Sequence, residues 1–136
     1  MDAIQGVIET AIYAEDLLSM LAFYRDLLGL PLVAQEAGRH LFFQAGPQNM
    51  LLIFRSEATL RGDHLPAHGC HGPGHVALGI SASSVDAWRT HLIHKGVVIE
   101  KEIDWPAGGH SLYFRDPAGN SIELITPRVW GLPSGW

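Results

Sequence analysis

The sequence predicts an α+β fold made of two βαβββ modules, and three observations carry that prediction. The order strand, helix, three strands occurs twice. Short stretches of the two halves align residue against residue. A turn-rich joint separates them.

In the first half, residues 7–13 (Val-Ile-Glu-Thr-Ala-Ile-Tyr) alternate as a strand does. Asp16 can cap a helix whose face holds Leu17, Leu18, Leu21, Tyr24 and Leu28, and Gly29 can stop it. Three strand-like runs follow at 32–35, 40–44 and 50–54, separated by Gly, Pro or Asn. In the second half, residues 74–80 form the strand. Ser83 or Ser84 can cap a helix whose face holds Val85, Trp88 and Leu92, and Gly96 ends it. Runs at 97–101, 111–115 and 121–125 complete the module. At an offset of 71, Arg39-His40-Leu41-Phe42-Phe43-Gln44 matches His110-Ser111-Leu112-Tyr113-Phe114-Arg115, and Asn49-Met50-Leu51-Leu52-Ile53 matches Asn120-Ser121-Ile122-Glu123-Leu124. An offset of 66 aligns the opening strands and pairs Glu9 with His75. Such self-similarity marks a repeated supersecondary unit.

The 136 residues therefore form a single domain, 1–136. Module 1 spans about 5–55, a linker about 56–73, module 2 about 74–127 and a C-terminal tail 128–136. The linker is long for a compact domain, which marks a functional loop or a joint. Trp130 and Trp136 suggest that the tail packs onto something.

Composition excludes several classes. With 47% hydrophobic and 17% charged residues, the chain has too much core material for disorder. The single Cys70 excludes a disulfide scaffold. A net charge of −5 argues against nucleic acid as a partner. No apolar run reaches the roughly 18 residues of a membrane helix, and residues 1–5 lack the regions of a signal peptide. A cytoplasmic, soluble protein with no membrane partner is the expectation.

Strand side chains alternate between faces. Glu9 opposes Thr10 and Ile12, His75 opposes Val76 and Leu78, and Glu123 opposes Ile122 and Leu124. If the strands share one sheet, Glu9, His75 and Glu123 share its non-helical face. Oxygen and nitrogen ligands in that number, with open positions, suit a catalytic divalent metal. The two carboxylates would balance its charge. The pattern alone leaves a plainer reading open, in which each residue is solvated on an open sheet face. Phe42, Met50, Leu52 and Phe54 would give module 1 an apolar wall, fit for a small-molecule pocket or a dimer contact. Tyr113 and Arg115 share one strand face, where Tyr113 could donate a hydrogen bond and Arg115 could hold an anion.

Other candidates are weaker. The loop from His64 to His71 lacks structural zinc spacing and suits a site entrance. His91 and His94 near a helix C-terminus complement its dipole. Cys70 has no adjacent base, and Gly69, Gly72 and Gly74 make no phosphate loop.

The doubled βαβββ order, Phe23-Tyr24-Arg25-Asp26-Leu27-Leu28-Gly29-Leu30, and Tyr113-Phe114-Arg115-Asp116-Pro117-Ala118-Gly119-Asn120-Ser121-Ile122-Glu123-Leu124 resemble the vicinal oxygen chelate superfamily over about residues 5–128. That group holds glyoxalase I, bleomycin-resistance proteins, fosfomycin-resistance enzymes and extradiol dioxygenases. The resemblance implies a curved, cup-like mixed sheet with helices on the outer face and a metal in the cup. Its ligand places fall at Glu9, Leu52, His75 and Glu123. Leu52 cannot bind metal, so the four-ligand glyoxalase I arrangement is not reproduced. Three ligands, Glu9, His75 and Glu123, are implied, with Glu9 where His is commonest. The metal would be Zn, Mn, Ni or Fe, acting as a Lewis acid on two neighbouring oxygens of a small oxygen-rich substrate. A metal-bound hydroxide or a displaced carboxylate would serve as the base, with Glu9 the candidate for the displaced group, and Tyr113 and Arg115 would contact the substrate. Lyase, isomerase or addition chemistry is the first expectation. A ring-cleaving dioxygenase and a metal-free drug-sequestering protein are the alternatives. A homodimer is implied, with the cup completed by modules of one chain or of two.

Overall fold

The computed structural model describes residues 1–133. They form two compact units, divided between residues 72 and 73, each built on its own four-stranded sheet. The division falls at the end of the expected linker.

In the first unit, β1 (Glu9–Tyr13), β2 (Leu32–Glu36), β3 (His40–Gln44) and β4 (Met50–Phe54) lie in the order β1-β4-β3-β2. β1 runs parallel to β4, and the remaining pairs are antiparallel. A parallel neighbour needs a crossover, and the helix after β1 supplies it. Asp16 caps that helix, its carboxylate accepting from the amides of Leu18 and Ser19. The helix is not uniform. α1 (Leu17–Leu21) widens into a π-helix over Ala22–Leu27, with Leu28 N–H donating to the Phe23 carbonyl. The buried stripe is Met20, Phe23, Tyr24 and Leu28, not the expected run of Leu17, Leu18 and Leu21; Leu18 is 80% exposed. Gly29 and Gly96 end the two crossover helices in the left-handed region, which costs glycine nothing. Tyr24 lies against Phe43, and alternate residues Leu41, Phe43, Leu51 and Ile53 are buried with them.

The expected linker is not structureless, because it opens with α2 (Ser56–Leu60). Ser56 Oγ donates to the Cys70 carbonyl, and His68 N–H donates to the Thr59 carbonyl. The segment therefore folds back on its own short helix.

In the second unit, β5 (His75–Gly79), β6 (Lys101–Asp104), β7 (His110–Arg115) and β8 (Ser121–Ile125) repeat the topology as β5-β8-β7-β6. α3 (Val85–His94) is the crossover, with Leu92 fully buried. Its cap differs from the expectation, since the Ser84 side chain caps no helical amide and bonds back to Ser81. The strand expected at 97–101 begins only at Lys101. Val97 N–H still donates to the Leu92 carbonyl at the helix end, and Val98 is 80% exposed. β6 is clamped to α3 by Arg89, which pairs with both oxygens of Glu102 at 2.7 and 3.0 Å. That pairing holds Glu102 below the usual carboxylate range and Arg89 above its own.

After β8, a short 3-10 helix covers Pro127–Trp130. A Cβ at Gly109 would meet Val129 Cγ2 at 2.6 Å, so Val129 is the residue that packs. Trp130 is 77% exposed, which corrects the expectation that it packs, and Trp136 lies outside the described residues. Among the described residues no helix is long and apolar enough to cross a membrane.

Candidate functional site

Two features stand out, one in each unit. In the second unit the turn Asp116-Pro117-Ala118-Gly119-Asn120 sets the geometry. The buried Asp116 carboxylate accepts from the Ala118 and Asn120 amides and from the Asn120 side chain. Asn120 Oδ1 in turn accepts from Gly74 N–H at 2.7 Å, and Ser121 N–H donates to the Gly74 carbonyl. The turn thereby fixes where β5 begins and brings His75 opposite Ser121.

His75 Nδ1 lies 2.9 Å from the Ser121 carbonyl. A carbonyl only accepts, so Nδ1 carries the proton and a neutral ring presents the Nε2 lone pair. Nε2 faces Glu123 Oε2 at 3.3 Å. Two electron-rich atoms at that distance need a cation between them, either a proton on an imidazolium or a metal ion. Ligands about 2.0–2.2 Å from a tetrahedral ion stand roughly 3.3–3.5 Å apart. The donor pair thus fits a divalent metal, and the Ser121 contact is the outer support such a histidine needs. Glu123 is buried, and Tyr113, its register partner on β7, hydrogen-bonds it. Burial, then the Glu123 bond and charge, push the Tyr113 phenol above its ordinary value. The phenol therefore stays protonated and donates to the carboxylate.

Arg115 lies on the same face, but its guanidinium is engaged. It contacts Glu100 at 3.0 and 3.4 Å and donates to the Gly119 carbonyl at 3.1 Å. Glu100 must release it before it can take an anion.

In the first unit, Glu9 is exposed at the start of β1, on the sheet face it shares with Ala11, Met50 and Leu52. That face forms one wall of a cavity of about 540 Å³. Phe42, Met50, Leu52 and Phe54 line it, as the alternation predicts, with Glu9 and Arg39 beside them. The far wall is the loop after α2, through Asp63, Leu65, Pro66 and His68. Leu52, at the position where the resemblance implied a fourth ligand place, supplies only apolar surface to the cavity. Sequence reasoning did not find the partnership of His68 with Tyr13, whose hydroxyl lies 2.6 Å from His68 Nδ1. The two residues are 55 apart, and only the fold-back of the loop joins them. Burial first, and the nearby Cys70 second, raise the Tyr13 phenol. His64 pairs with Asp63 at 3.3 Å. His91 sits edge-on to Trp88, and His94 is exposed.

Doubled βαβββ sheets, each with its first strand parallel to its last, define one class of α+β folds. The chain belongs to the Glyoxalase/Bleomycin resistance protein/Dioxygenase superfamily, whose sequence model matches residues 6–124. A lactoylglutathione lyase from Agrobacterium tumefaciens is 38% identical, with a TM-score of 0.92 over 96% of this chain and 100% of that one. A glyoxalase/bleomycin resistance protein/dioxygenase from Nocardioides (21% identical, TM-score 0.73, covering 100% and 92%) shares the fold. So does a glyoxalase/dioxygenase from Nostoc punctiforme (20%, 0.69, 93% and 97%). No curated protein sequence matches the chain.

Proposed function

We propose that the protein is a metal-dependent glyoxalase-like enzyme of lyase or isomerase type, acting on a small molecule with two neighbouring oxygens. The observation that carries this reading is the His75–Glu123 pair, with Nδ1 tied to a carbonyl and Nε2 turned to a buried carboxylate. The similarity to a lactoylglutathione lyase supports the reaction type.

His75, Glu123 and Glu9 would hold the ion. Among the described residues, no group of three His, Cys, Asp or Glu side chains stands close enough together to hold a metal ion. A homodimer is part of this reading. When bound, the ion supplies Lewis-acid polarisation of the two substrate oxygens. Tyr113 orients Glu123 by donating its hydroxyl proton. Glu9, exposed and without such a donor in its register partners, is the carboxylate free to accept a proton from substrate. Arg115 would steady an anionic group once Glu100 lets go.

Elemental analysis of untagged protein, paired with an assay of lactoylglutathione cleavage and formation, tests this. We expect stoichiometric metal, its loss in His75→Ala, and loss of turnover with metal retained in Glu9→Gln. Metal-free protein that still binds small molecules would point instead to a sequestering role. Full turnover in Glu9→Gln would remove Glu9 as the base.

A further inference from the structure

We propose that the cavity of the first unit is a recognition site for a neutral aromatic group that carries a hydrogen-bond-accepting oxygen, with His68 as its polar anchor. The proposal rests on the cavity alone and not on the metal reading.

The volume of about 540 Å³ lies within the range of small-molecule sites, roughly 300–1,000 Å³. Its walls are aromatic in an ordered way. Phe42 and Phe54 stand edge to face, with centroids 5.4 Å apart and planes at 72°. His68 meets Phe54 edge-on as well, at 5.0 Å and 79°. His40 stacks on Phe42 at 4.0 Å, which holds that ring in place. A planar ring entering such a cluster finds faces and edges already set for stacked and edge-on contacts, which aliphatic chains cannot exploit.

The polar atoms select the rest of the ligand. Tyr13 can donate its hydroxyl proton to His68 Nδ1, which leaves the proton of a neutral ring on Nε2. His68 lines the cavity with Nδ1 already engaged, so Nε2–H is the donor it offers. An oxygen acceptor on the ring satisfies it. The charged groups at the wall are Arg39 against Glu9 and Asp63. Arg39 is further drawn to His40 Nδ1 at 2.8 Å and Glu36 at 3.7 Å. Two carboxylates against one occupied guanidinium give an anionic ligand no net attraction.

The test uses the full chain stripped of metal, so that its failure is distinguishable from failure of the proposed activity. Acetophenone, toluene and benzoate are titrated while the aromatic and imidazole resonances are followed by NMR. Acetophenone should bind with shifts at Phe42, Phe54 and His68, and several-fold more tightly than toluene or benzoate. His68→Ala should reduce acetophenone to the toluene level, a loss of about three- to tenfold, in line with one hydrogen bond. Tyr13→Phe should move the His68 ring nitrogens toward a mixture of tautomers and weaken acetophenone less than His68→Ala does. Leu52→Phe, which fills the cavity from its wall, should abolish binding of all three; a folded variant is confirmed by its unfolding midpoint. Tighter binding of benzoate, or shifts that miss Phe42 and Phe54, would overturn the proposal.

Discussion

The two sheets are built on one register but carry opposite chemistry on their open faces. In the first, Ala11 pairs with Leu52 and Leu52 with Phe42; in the second, Ala77 pairs with Glu123 and Glu123 with Tyr113. Leu52 becomes Glu123 and Phe42 becomes Tyr113, while the small alanine beside them stays. The helix-side residues do not diverge in this way: Leu51 and Ile53 answer to Ile122 and Leu124, and all four are buried. The fold is thus carried by one face of each sheet, and the other is left to vary toward an apolar cavity or a ligand set. The hairpin turns differ in parallel. Asn49 and Asn120 both tie the last strand to the start of the first, through Val7 and Gly74. Only the second turn adds a buried carboxylate, Asp116, where the first has Ala45. The sheet that positions the candidate ligands is the more tightly braced one.

Glu123→Leu, which gives the second sheet the Leu52 of the first, should have the largest consequence. Metal content should fall from about one ion per chain toward zero, and turnover with it. The unfolding midpoint should hold or rise, because a buried carboxylate gives way to apolar surface. A sharp fall in the midpoint with metal retained would mean that Glu123 serves the fold instead. Next is Asp116→Ala, which copies Ala45. It removes the acceptor of three hydrogen bonds at a buried site and should cost about 3 kcal/mol in urea unfolding. Ala45→Asp, by contrast, should leave the first unit's stability nearly unchanged.

The repeat that makes this comparison possible is legible in sequence because strand pairs of one register need the same residue spacing. The offset of 71 between Phe42 and Tyr113 is the observed register equivalence. Glu123 and His75 are legible for the same reason, as polar residues interrupting the small, apolar face of a strand. Local geometry that depends on hydrogen-bond choice is not legible. The π-helix after Leu21 moves the buried stripe without changing the count of apolar residues. The run Val97-Val98-Ile99 has strand composition, but its first amide still serves the helix end, so pairing with β7 waits for the Glu100 N–H, which donates to the Tyr113 carbonyl, and β6 begins at Lys101. The Tyr13–His68 contact depends on a loop folding back over α2, which no periodicity records.

A subtler change acts at the hydroxyl itself. Tyr113→Phe restores the Phe42 pattern and removes only the donor to Glu123. Support of this kind around a metal ligand is worth about 10- to 100-fold in affinity. Metal competition with a chelator should read a loss near the lower end, because the Ser121 contact on His75 survives. An unchanged affinity would leave Tyr113 to the substrate alone.

The smallest expected effect separates the two sheets by pH. His40 on β3 pairs with Phe54, and its counterpart Ser111 on β7 pairs with Ile125. Ser111 accepts from the Trp105 indole at 2.8 Å and does not titrate near neutrality. His40 is 13% exposed, stacks on Phe42 and lies against Arg39, with Glu36 at 3.6 Å. Burial first and the Arg39 charge second hold its imidazole below the ordinary value, although Glu36 pulls the other way. The unfolded chain takes up a proton here near pH 6.5, before the folded chain does. Stability from His40 is therefore present above about pH 6.5 and is lost as pH falls through the folded value. Amides of β3 and β4 should exchange faster at pH 5.5 than at 7.5, after correction for intrinsic rates, while those of β7 and β8 show the weaker dependence. His40→Gln should flatten the difference in the first unit and leave the second as it was. Equal slopes in the two sheets of the unaltered chain would show that the imidazole is not what separates them.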